Sequence, residues 1–446
     1  MPRYLFVLFS TMLICGGLVV LSLTFLNIST PFSVESQSKM QVETRLTPEG
    51  MSRGEYVAKM SDCLACHTGS PNLPYAGGLP ISLPNGMTYS TNITPDKETG
   101  IGHYSLADFK RVLRAGIRRD GRYLYPAMPY TEYTKLSDAD IEALYHYFMT
   151  SVPPIHQINH ENDLPITMMR WTLAVWNGLF HTQGAYQIDS SQTQEWNRGA
   201  YLVQGPAHCG SCHTPRGWAL QTIANNEREK GFLAGANFAG WHGFNITNDL
   251  NYGLGNWRHE QIVEYLKTGS VAGKAQAAGP MGKVIEYSLR YLTAADLNAI
   301  AVYLRDVPAV SGTGKSRFEQ GNAIPQDIEL RGVPIAEAKQ TMPGKFLYME
   351  NCSACHDVDG SGSPDGYYPS LYHNSVVGSD NPSNLIQVIL KGVHRNNNQG
   401  EILMPAFSTH LSDEQVSILV NFLTRTYGQG DGKITSKEVK VLRPFD

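Results

Sequence analysis

The sequence contains few charged residues, with neither sign in large excess, and it lacks common catalytic motifs. Its 446 residues include 36 lysines and arginines against 40 aspartates and glutamates, which leaves a formal net charge of −4. A chain with this balance lacks the basic surface that nucleic acid attracts, so no nucleic-acid partner is predicted. Neither a glycine-rich phosphate loop nor a nucleophile–base pair is present. We therefore expect no substrate catalysis by this chain itself.

Long hydrophobic stretches are also scarce, since one run alone, residues 5–28, reaches the length of a bilayer span. Arg3 precedes this run, and the polar residues 29–45 follow it. The run is long for the core of a cleaved signal peptide, and it lacks a good small-x-small cleavage site. We expect residues 1–33 to be a signal peptide or membrane anchor. The uncleaved anchor is favoured, with the rest of the chain outside the cytoplasm.

Cysteine is rare too, and six of the seven cysteines fall in a motif that occurs three times, Cys-x-x-Cys-His. The seventh, Cys15, lies in the N-terminal apolar run. This motif is the attachment pattern of c-type haem, in which two thiols bond the vinyl groups and the adjacent imidazole lies under the iron. The candidate attachment residues are Cys63, Cys66, Cys209, Cys212, Cys352 and Cys355, and the candidate proximal ligands are His67, His213 and His356.

A zinc site and a redox dithiol are the alternatives for any single Cys-x-x-Cys pair. A zinc ribbon needs a second pair at short spacing, and none of the three copies has one. Three copies of the whole motif, each with its histidine, favour haem. The sequence therefore predicts three covalently bound haem c groups.

One methionine beside proline follows the middle helix predicted in each repeat. Proline stiffens these loops, so the thioether can be held against the iron as its second axial ligand. Two protein ligands make a haem mainly an electron carrier, and methionine raises its reduction potential. The alternatives are ordinary core methionines and competing histidine ligands. The candidate methionines are Met128, Met281 and Met404, and the competing histidines are His103, His146, His208 and His394.

The elements around the motif repeat as well, which predicts an all-α fold of three tandem cytochrome c domains. In each domain a first helix carries the motif, a middle helix ends at glycine, and a last helix packs against the first. The predicted glycine ends are Gly116, Gly269 and Gly392, and the predicted capping boxes are Ser137-x-x-Asp140, Thr293-x-x-Asp296 and Ser412-x-x-Gln415. The predicted divisions are the signal or anchor segment at 1–33, cytochrome c domains at 46–152, 191–308 and 343–428, linkers at 153–190 and 309–342, and a C-terminal tail at 429–446.

Two smaller features concern the surroundings of the haem. Asn-Ile-Thr occurs at Asn92 and at Asn245, and its recurrence predicts a loop whose amides satisfy the haem propionates. Each proximal imidazole should also donate its free N–H to a backbone carbonyl. Pro80 and Pro369 lie at matching distances beyond the first and third motifs and are the predicted acceptors. The second repeat has no such proline.

The first linker contains an aromatic-rich stretch, residues 171–180, with Trp171 and Trp176. A stretch of this kind is more often a core helix than a cofactor site. We interpret it as a helix that ties two domains together, with a partner or quinone surface as the alternative.

Several segments together resemble the tri-haem cytochrome c subunits of bacterial membrane-bound dehydrogenases, which oxidise alcohols, gluconate, sorbitol, fructose or glucose. The resemblance covers about residues 52–428. The segments that carry it are Arg53-Gly54-Glu55-Tyr56, Tyr89-Ser90-Thr91-Asn92-Ile93-Thr94-Pro95, Tyr125-Pro126-Ala127-Met128-Pro129-Tyr130, His213-Thr214-Pro215-Arg216-Gly217, Ala278-Gly279-Pro280-Met281, Asp365-Gly366-Tyr367-Tyr368-Pro369-Ser370-Leu371 and Ile402-Leu403-Met404-Pro405-Ala406-Phe407.

The resemblance implies a complex on the periplasmic face of the bacterial inner membrane. In it, a catalytic subunit with flavin or pyrroloquinoline quinone (PQQ) oxidises an alcohol, sugar or aldehyde, and the cytochrome subunit relays the electrons to ubiquinone. Similar subunits serve molybdenum hydroxylases, which are the alternative partner. A self-sufficient multihaem peroxidase or reductase, with an open iron, is the alternative of another class. Many relatives have a C-terminal membrane segment, whereas the last residues here are charged, which favours the N-terminal anchor.

Overall fold

The computed structural model describes residues 47–83, 86–164, 170–312, 316–317, 332–397, 400–428 and 430–443. The expected signal or anchor segment, 1–33, lies outside these residues. The described chain is largely helical, as predicted, and it also contains four two-stranded antiparallel sheets that the sequence analysis did not predict. None of the helices described is both long and apolar enough to cross a membrane.

The elements are numbered in chain order over the described residues. The helices are Arg53–Met60 (α1), Cys63–Cys66 (α2), Leu106–Ala115 (α3), Tyr130–Tyr133 (α4), Asp138–Thr150 (α5), Thr172–Phe180 (α6), Gln194–Gln204 (α7), Gly210–His213 (α8), His259–Thr268 (α9), Gly279–Tyr287 (α10), Ala294–Asp306 (α11), Ile335–Thr341 (α12), Pro343–Asn351 (α13), Ser353–His356 (α14), Ser383–Lys391 (α15), Asp413–Thr426 (α16) and Ser436–Leu442 (α17), with a 3-10 turn at Leu289–Tyr291. The paired strands are Pro80–Leu83 (β1) with Gly86–Tyr89 (β2), Ala236–Phe238 (β3) with Trp241–Gly243 (β4), Ser270–Val271 (β5) with Ala275–Gln276 (β6), and Val393–Asn397 (β7) with Gly400–Met404 (β8).

The first and last helices of each repeat pack against each other, which confirms the predicted arrangement. A glycine of the first helix lies at each crossing, at Gly54 in α1, Gly199 in α7 and Gly344 in α13. A Cβ at Gly54 would overlap the carbonyl oxygen of Ala143 in α5, and one at Gly199 would overlap that of Ala299 in α11. The two backbones therefore approach as closely as only glycine permits.

The middle helices α3, α9 and α15 end where glycine was predicted to end them. Gly116, Gly269 and Gly392 have φ angles of 65°, 76° and 69°, in the region that favours glycine. The last helices also begin at the predicted caps. Of the three predicted capping boxes, however, only the one at Ser412 is complete.

The capping box at Ser137 is incomplete because the carboxylate of Asp140 binds other partners. Ser137 accepts a hydrogen bond from the Asp140 N–H, as a cap should. The Asp140 carboxylate accepts instead from Arg53 Nε at 2.9 Å and from the hydroxyl of Tyr201 at 2.5 Å. Arg53 belongs to the same repeat and Tyr201 to the next, so this aspartate joins the first two repeats.

The second repeat mirrors this arrangement through Asp296. Its carboxylate accepts from Arg198 Nε of its own repeat at 2.8 Å, and from the hydroxyl of Tyr56 in the first repeat at 2.6 Å. The two repeats thus exchange tyrosines, like the two halves of a symmetric dimer interface. Hydrogen bonds to a charged group in a buried site are among the stronger interactions in proteins.

Buried apolar side chains of the described residues form two clusters, although three domains were predicted. One cluster spans residues 56–307 and unites the first two repeats, and the other spans residues 347–439. The predicted domain boundaries stay predictions. The residues expected to form a polar tail at 429–446 contain α17, which packs on α16 and buries Val439.

The third repeat is fastened to the second by polar contacts. Asn384 accepts from the backbone N–H of His242 at 2.8 Å and donates to its carbonyl at 2.8 Å. Arg395 of β7 is 2% exposed, and it donates to the carbonyl of Thr268 and to the side-chain oxygen of Gln276. The hairpin formed by β7 and β8 is thereby held against the second repeat.

We expect Gly199→Ala to destabilise the protein by about 1–3 kcal/mol, because the new methyl group must push α7 away from α11. The melting temperature, followed by circular dichroism, measures this loss. Gly178→Ala in α6 is the matched control, since nothing lies within 4 Å of its added Cβ. That variant should be neutral or slightly more stable. Equal melting temperatures for the two variants would contradict the tight crossing.

Candidate haem sites

Each Cys-x-x-Cys-His motif lies on a one-turn helix just after the first helix of its repeat, at α2, α8 and α14. In every copy the N–H of the histidine donates to the carbonyl of the first cysteine, at 2.9 to 3.0 Å. This bond closes the turn. Residues three and four apart then project from one side of the helix. Both thiols and the imidazole of a motif therefore face one region.

Four of the motif thiols have a pKa unlike that of a redox-active dithiol. All six are free of disulfide bonds. Burial raises the pKa of Cys63, Cys209 and Cys352 to about 12 and that of Cys212 to about 11. Redox-active Cys-x-x-Cys pairs have a lowered thiol pKa. As for zinc, no group of three or more His, Cys, Asp or Glu side chains within the described ranges is placed to hold a metal ion.

Each motif imidazole is oriented by a hydrogen bond from Nδ1 to a backbone carbonyl. The pairs are His67 with Thr91 at 2.7 Å, His213 with Phe244 at 2.6 Å, and His356 with Pro369 at 2.9 Å. Burial also lowers the pKa of all three imidazoles. Each ring is therefore neutral at neutral pH, with Nε2 available as an iron ligand.

The acceptor predicted at Pro369 is confirmed, and the one predicted at Pro80 is wrong. Pro80 opens β1, and the first imidazole binds the carbonyl of Thr91, just after β2. In the second repeat the acceptor is Phe244. Thr91 and Phe244 each stand directly before the asparagine of Asn-Ile-Thr. That repeated tripeptide was the signal in the sequence that marked both carbonyls.

The side chains of the two asparagines bind neighbouring backbone groups. Asn92 is 3% exposed, and its Nδ2 donates to the carbonyl of Ile155 at 2.7 Å while its Oδ1 accepts from the Thr94 N–H. Asn245 donates in the same way to the carbonyl of Val310 at 2.7 Å. These amides fasten the chain that leaves the last helix. That donors of this loop satisfy the haem propionates stays a prediction.

Four of the predicted haem residues meet at the second site. Cys209, Cys212, His213 and Met281 line a single cavity with about 1500 Å³ of empty space, including its opening to solvent. Its walls are mainly aromatic and aliphatic side chains. Met281 follows Pro280 at the start of α10. An imidazole, a thioether and two thiols that surround an apolar cavity are the residues that a covalently attached haem requires, so these residues fit the cofactor.

The other two methionines lie in related positions. Met128 packs against the same buried cluster as Cys63 and precedes α4. Met404 is the last residue of β8, paired with Val393 and half-buried, and Cys352 packs against the third repeat's core. In each repeat the methionine therefore lies between the middle and last helices, where the sequence places it.

Of the four competing histidines, three lie on the surface. These are His103, His146 and His394. The Nε2 atom of His146 lies 3.9 Å from Glu142 Oε1, and that of His394 lies 2.5 Å from Glu401 Oε1. His208 alone of the four lines the second cavity. Burial lowers the pKa of His208 to about 4.

We expect Met281→Leu to remove the near-infrared charge-transfer band of one methionine-ligated ferric haem, and to let carbon monoxide bind when that haem is reduced. The reason is that leucine offers the iron no sulfur ligand. Absorption spectroscopy of the haem-loaded protein measures both. Met149→Leu, at a half-buried methionine of α5, is the control and should change neither. If His208→Phe opened the iron while Met281→Leu did not, the second ligand would be histidine.

Residues 341–426 match the family model described as Cytochrome c. The chain is 42% identical over 407 residues to the fructose dehydrogenase cytochrome subunit of Gluconobacter japonicus, which covers 88% of this chain and 82% of the relative. It is 40% identical to the cytochrome c subunit of the quinone alcohol dehydrogenase of Gluconobacter oxydans, over 88% of this chain and 82% of that protein. It is also 38% identical to the gluconate 2-dehydrogenase cytochrome c subunit of Pantoea cypripedii, over 88% of this chain and 89% of that protein. The chain therefore belongs to the family of cytochrome c subunits of bacterial fructose, alcohol and gluconate dehydrogenases.

Proposed function

We propose that this chain is a tri-haem c-type cytochrome that relays electrons from a dehydrogenase catalytic subunit to ubiquinone at the periplasmic face of the inner membrane. The catalytic subunit carries flavin or PQQ and oxidises an alcohol, sugar or aldehyde. Support comes from the names of the relatives, which are cytochrome subunits of such dehydrogenases, and from the three complete motifs. A bound haem supplies reversible one-electron chemistry at each site.

The observation that carries this proposal is that all three repeats meet at the second site. On one side, α10, which bears Met281, contacts α2, which bears the first pair of cysteines. Enclosure by protein raises the pKa of the Cys66 thiol to about 12, and the nearby charges of Asp62 and Cys212 add to the rise. The attachment residues of the first and second motifs are therefore neighbours.

The third repeat approaches the second site from another side. Ser375, Val376, Asn384 and Val388 belong to the third repeat, and all four line the cavity that contains Met281. Electron transfer slows steeply with distance, so the contacts between sites decide the path. The second site is accordingly the middle of the relay, with the first and third sites at its two ends.

At the second site the imidazole of His213 and the thioether of Met281 line the same cavity, so both would be available to hold the iron of a haem attached there. A peroxidase or small-molecule reductase would need one open face. The arrangement thus favours electron transfer over substrate chemistry at the iron.

Purification from the native membrane without added reductant tests the proposal. We expect a dehydrogenase subunit with flavin or PQQ to accompany the chain, and one of fructose, an alcohol or gluconate to reduce three low-spin haems. If the chain came alone and contained a high-spin haem that turned over peroxide, the relay would be refuted in favour of a self-sufficient enzyme.

The central position of the second site gives a sharper prediction. In the complex with its catalytic subunit, Cys209→Ser/Cys212→Ser should lower the haem content from three to two per chain. Substrate should then reduce only one of the two remaining haems, because the middle of the relay is missing. Stopped-flow absorption spectroscopy measures the fraction reduced.

The matched control is Cys352→Ser/Cys355→Ser, which removes an end of the relay. The two haems that remain should then both be reduced by substrate, or neither, depending on which end receives the electrons. Reduction of exactly one haem in this control, or of both in the Cys209→Ser/Cys212→Ser variant, would contradict the central position.

A further inference from the structure

A patch of exposed apolar side chains lies on α6 and the loop that packs against it. Trp171, Val175 and Leu179 are 69%, 36% and 61% exposed, and their four-residue spacing puts them along one side of the helix. Trp218 is 88% exposed, and its ring lies edge-on to Phe180 at 6.1 Å. We call Trp171, Val175, Leu179 and Trp218 the α6 patch. Contiguous exposed apolar surface of this kind marks a binding site in a folded protein.

Contacts on the inner side of α6 fix the position of this helix, so its outer side chains have a fixed place on the surface. On its inner side Trp176 donates to the carbonyl of Ala219 at 2.8 Å, and Asn177 donates to the carbonyl of Ala115 at 3.0 Å. Leu173 is 7% exposed. A helix that is apolar on both sides is normally buried on both. We therefore expect the outer side of α6 to be covered by another apolar surface.

The chain beside the α6 patch is strongly basic. Residues 106–122 contain six lysines and arginines against two aspartates, a net charge of +4 in a chain whose net charge is −4. Arg119 and Arg122 are 55% and 59% exposed, with Asp108 at 3.9 Å from Arg119 Nε and Asp120 at 2.6 Å from Arg122 Nη2. Arg170, next to Trp171, donates to the carbonyl of Tyr123 at 2.6 Å, which brings it to the same loop. Apolar and cationic groups thus share one face of the protein.

We propose that the α6 patch rests on a phospholipid surface. Its tryptophan, valine and leucine side chains enter the boundary between headgroups and acyl chains, and the neighbouring arginines contact anionic headgroups. Tryptophan and leucine flanked by arginine are typical of helices that lie in the plane of a membrane interface. With Asp138 counted, since it pairs with Lys110 and Arg114, six cations against three carboxylates leave a local charge of +3, which complements anionic lipid. This inference rests on the membrane location in the proposed function and deepens it by naming the face that meets the lipid.

The α6 patch adjoins the methionine loop of the first site. The guanidinium of Arg170 lies 4.8 Å from the ring centre of Tyr125, and the hydroxyl of Tyr130 donates to Asn177 of α6 at 2.6 Å. Tyr125 and Tyr130 stand on either side of Met128 in the sequence. The lipid-facing surface therefore brings the methionine loop of the first site close to the membrane.

The test uses the full haem-loaded chain in vesicles of phosphatidylethanolamine and phosphatidylglycerol. A spin label is placed at Val175→Cys in a Cys15→Ser background, and its collisions with molecular oxygen and with a water-soluble nickel chelate are compared. We expect the label at 175 to prefer oxygen, which concentrates in lipid. The matched control is Val441→Cys, at a valine that is 75% exposed on α17, and its label should prefer the nickel chelate.

Equal behaviour of the two labels would overturn the proposal. The proposal would also fail if the label at 175 were open to the nickel chelate in vesicles and became shielded from both reagents only when the catalytic subunit binds. The patch would then be a protein interface.

The role of the arginines is tested with the variant Arg119→Gln/Arg122→Gln. At about a fivefold loss of lipid affinity for each arginine, the oxygen preference at 175 should fall clearly. An unchanged preference would overturn the role given to these arginines.

Neither readout depends on electron transfer. If the label at 175 faced water while substrate still reduced the haems and the haems reduced quinone, the membrane face would fail and the relay would stand. If the label faced lipid in a chain whose haems accepted no electrons, the relay would fail and the membrane face would stand.

Discussion

The first and last helices of each repeat cross at a glycine of the first helix, and the candidate haem sites depend on this close contact. The motif turn follows the first helix, and the methionine segment leads into the last. Locking the two helices together therefore fixes where the histidine and the methionine lie relative to each other. Gly54 and Gly199 each stand in the sequence Arg-Gly-x-Tyr, and Gly344 recurs at this contact without the arginine before it. The constraint is one of backbone approach, which a larger side chain cannot satisfy.

Local rules explain the features that the sequence analysis predicted correctly. Glycine ends and N-caps of helices depend on residues within a few positions of each other, and these were found where expected. The motif was predicted on the first helix of each repeat, whereas it lies on a separate one-turn helix directly after it. What escaped the sequence analysis depends on distant partners. Asp140 has the spacing of a capping box, but a tyrosine 61 residues away competes for its carboxylate. The carbonyls of Thr91 and Phe244 bind imidazoles as backbone groups, so their own side chains give no sign of this role, and only the Asn-Ile-Thr that follows each of them marks the position.

The position of the third methionine depends on a neighbouring repeat. Met404 lies two residues from Ile402, which pairs with Arg395 across the hairpin. Arg395 is buried, and the carbonyl and amide oxygens that it binds belong to the second repeat. A buried guanidinium is costly to leave without such acceptors. The third repeat has a core of its own, yet the hairpin that ends at its methionine is anchored outside that core.

The exchange of tyrosines between the first two repeats also bears on how the chain is assembled in time. Tyr56 and Asp296 are 240 residues apart, and their contact closes a very large loop. Contacts of such long range form slowly, whereas the third core gathers residues within a short stretch. On a chain synthesised from its N-terminus, the first motif is made first but waits longest for its final surroundings, so the order in which the repeats mature differs from the order in which they are made.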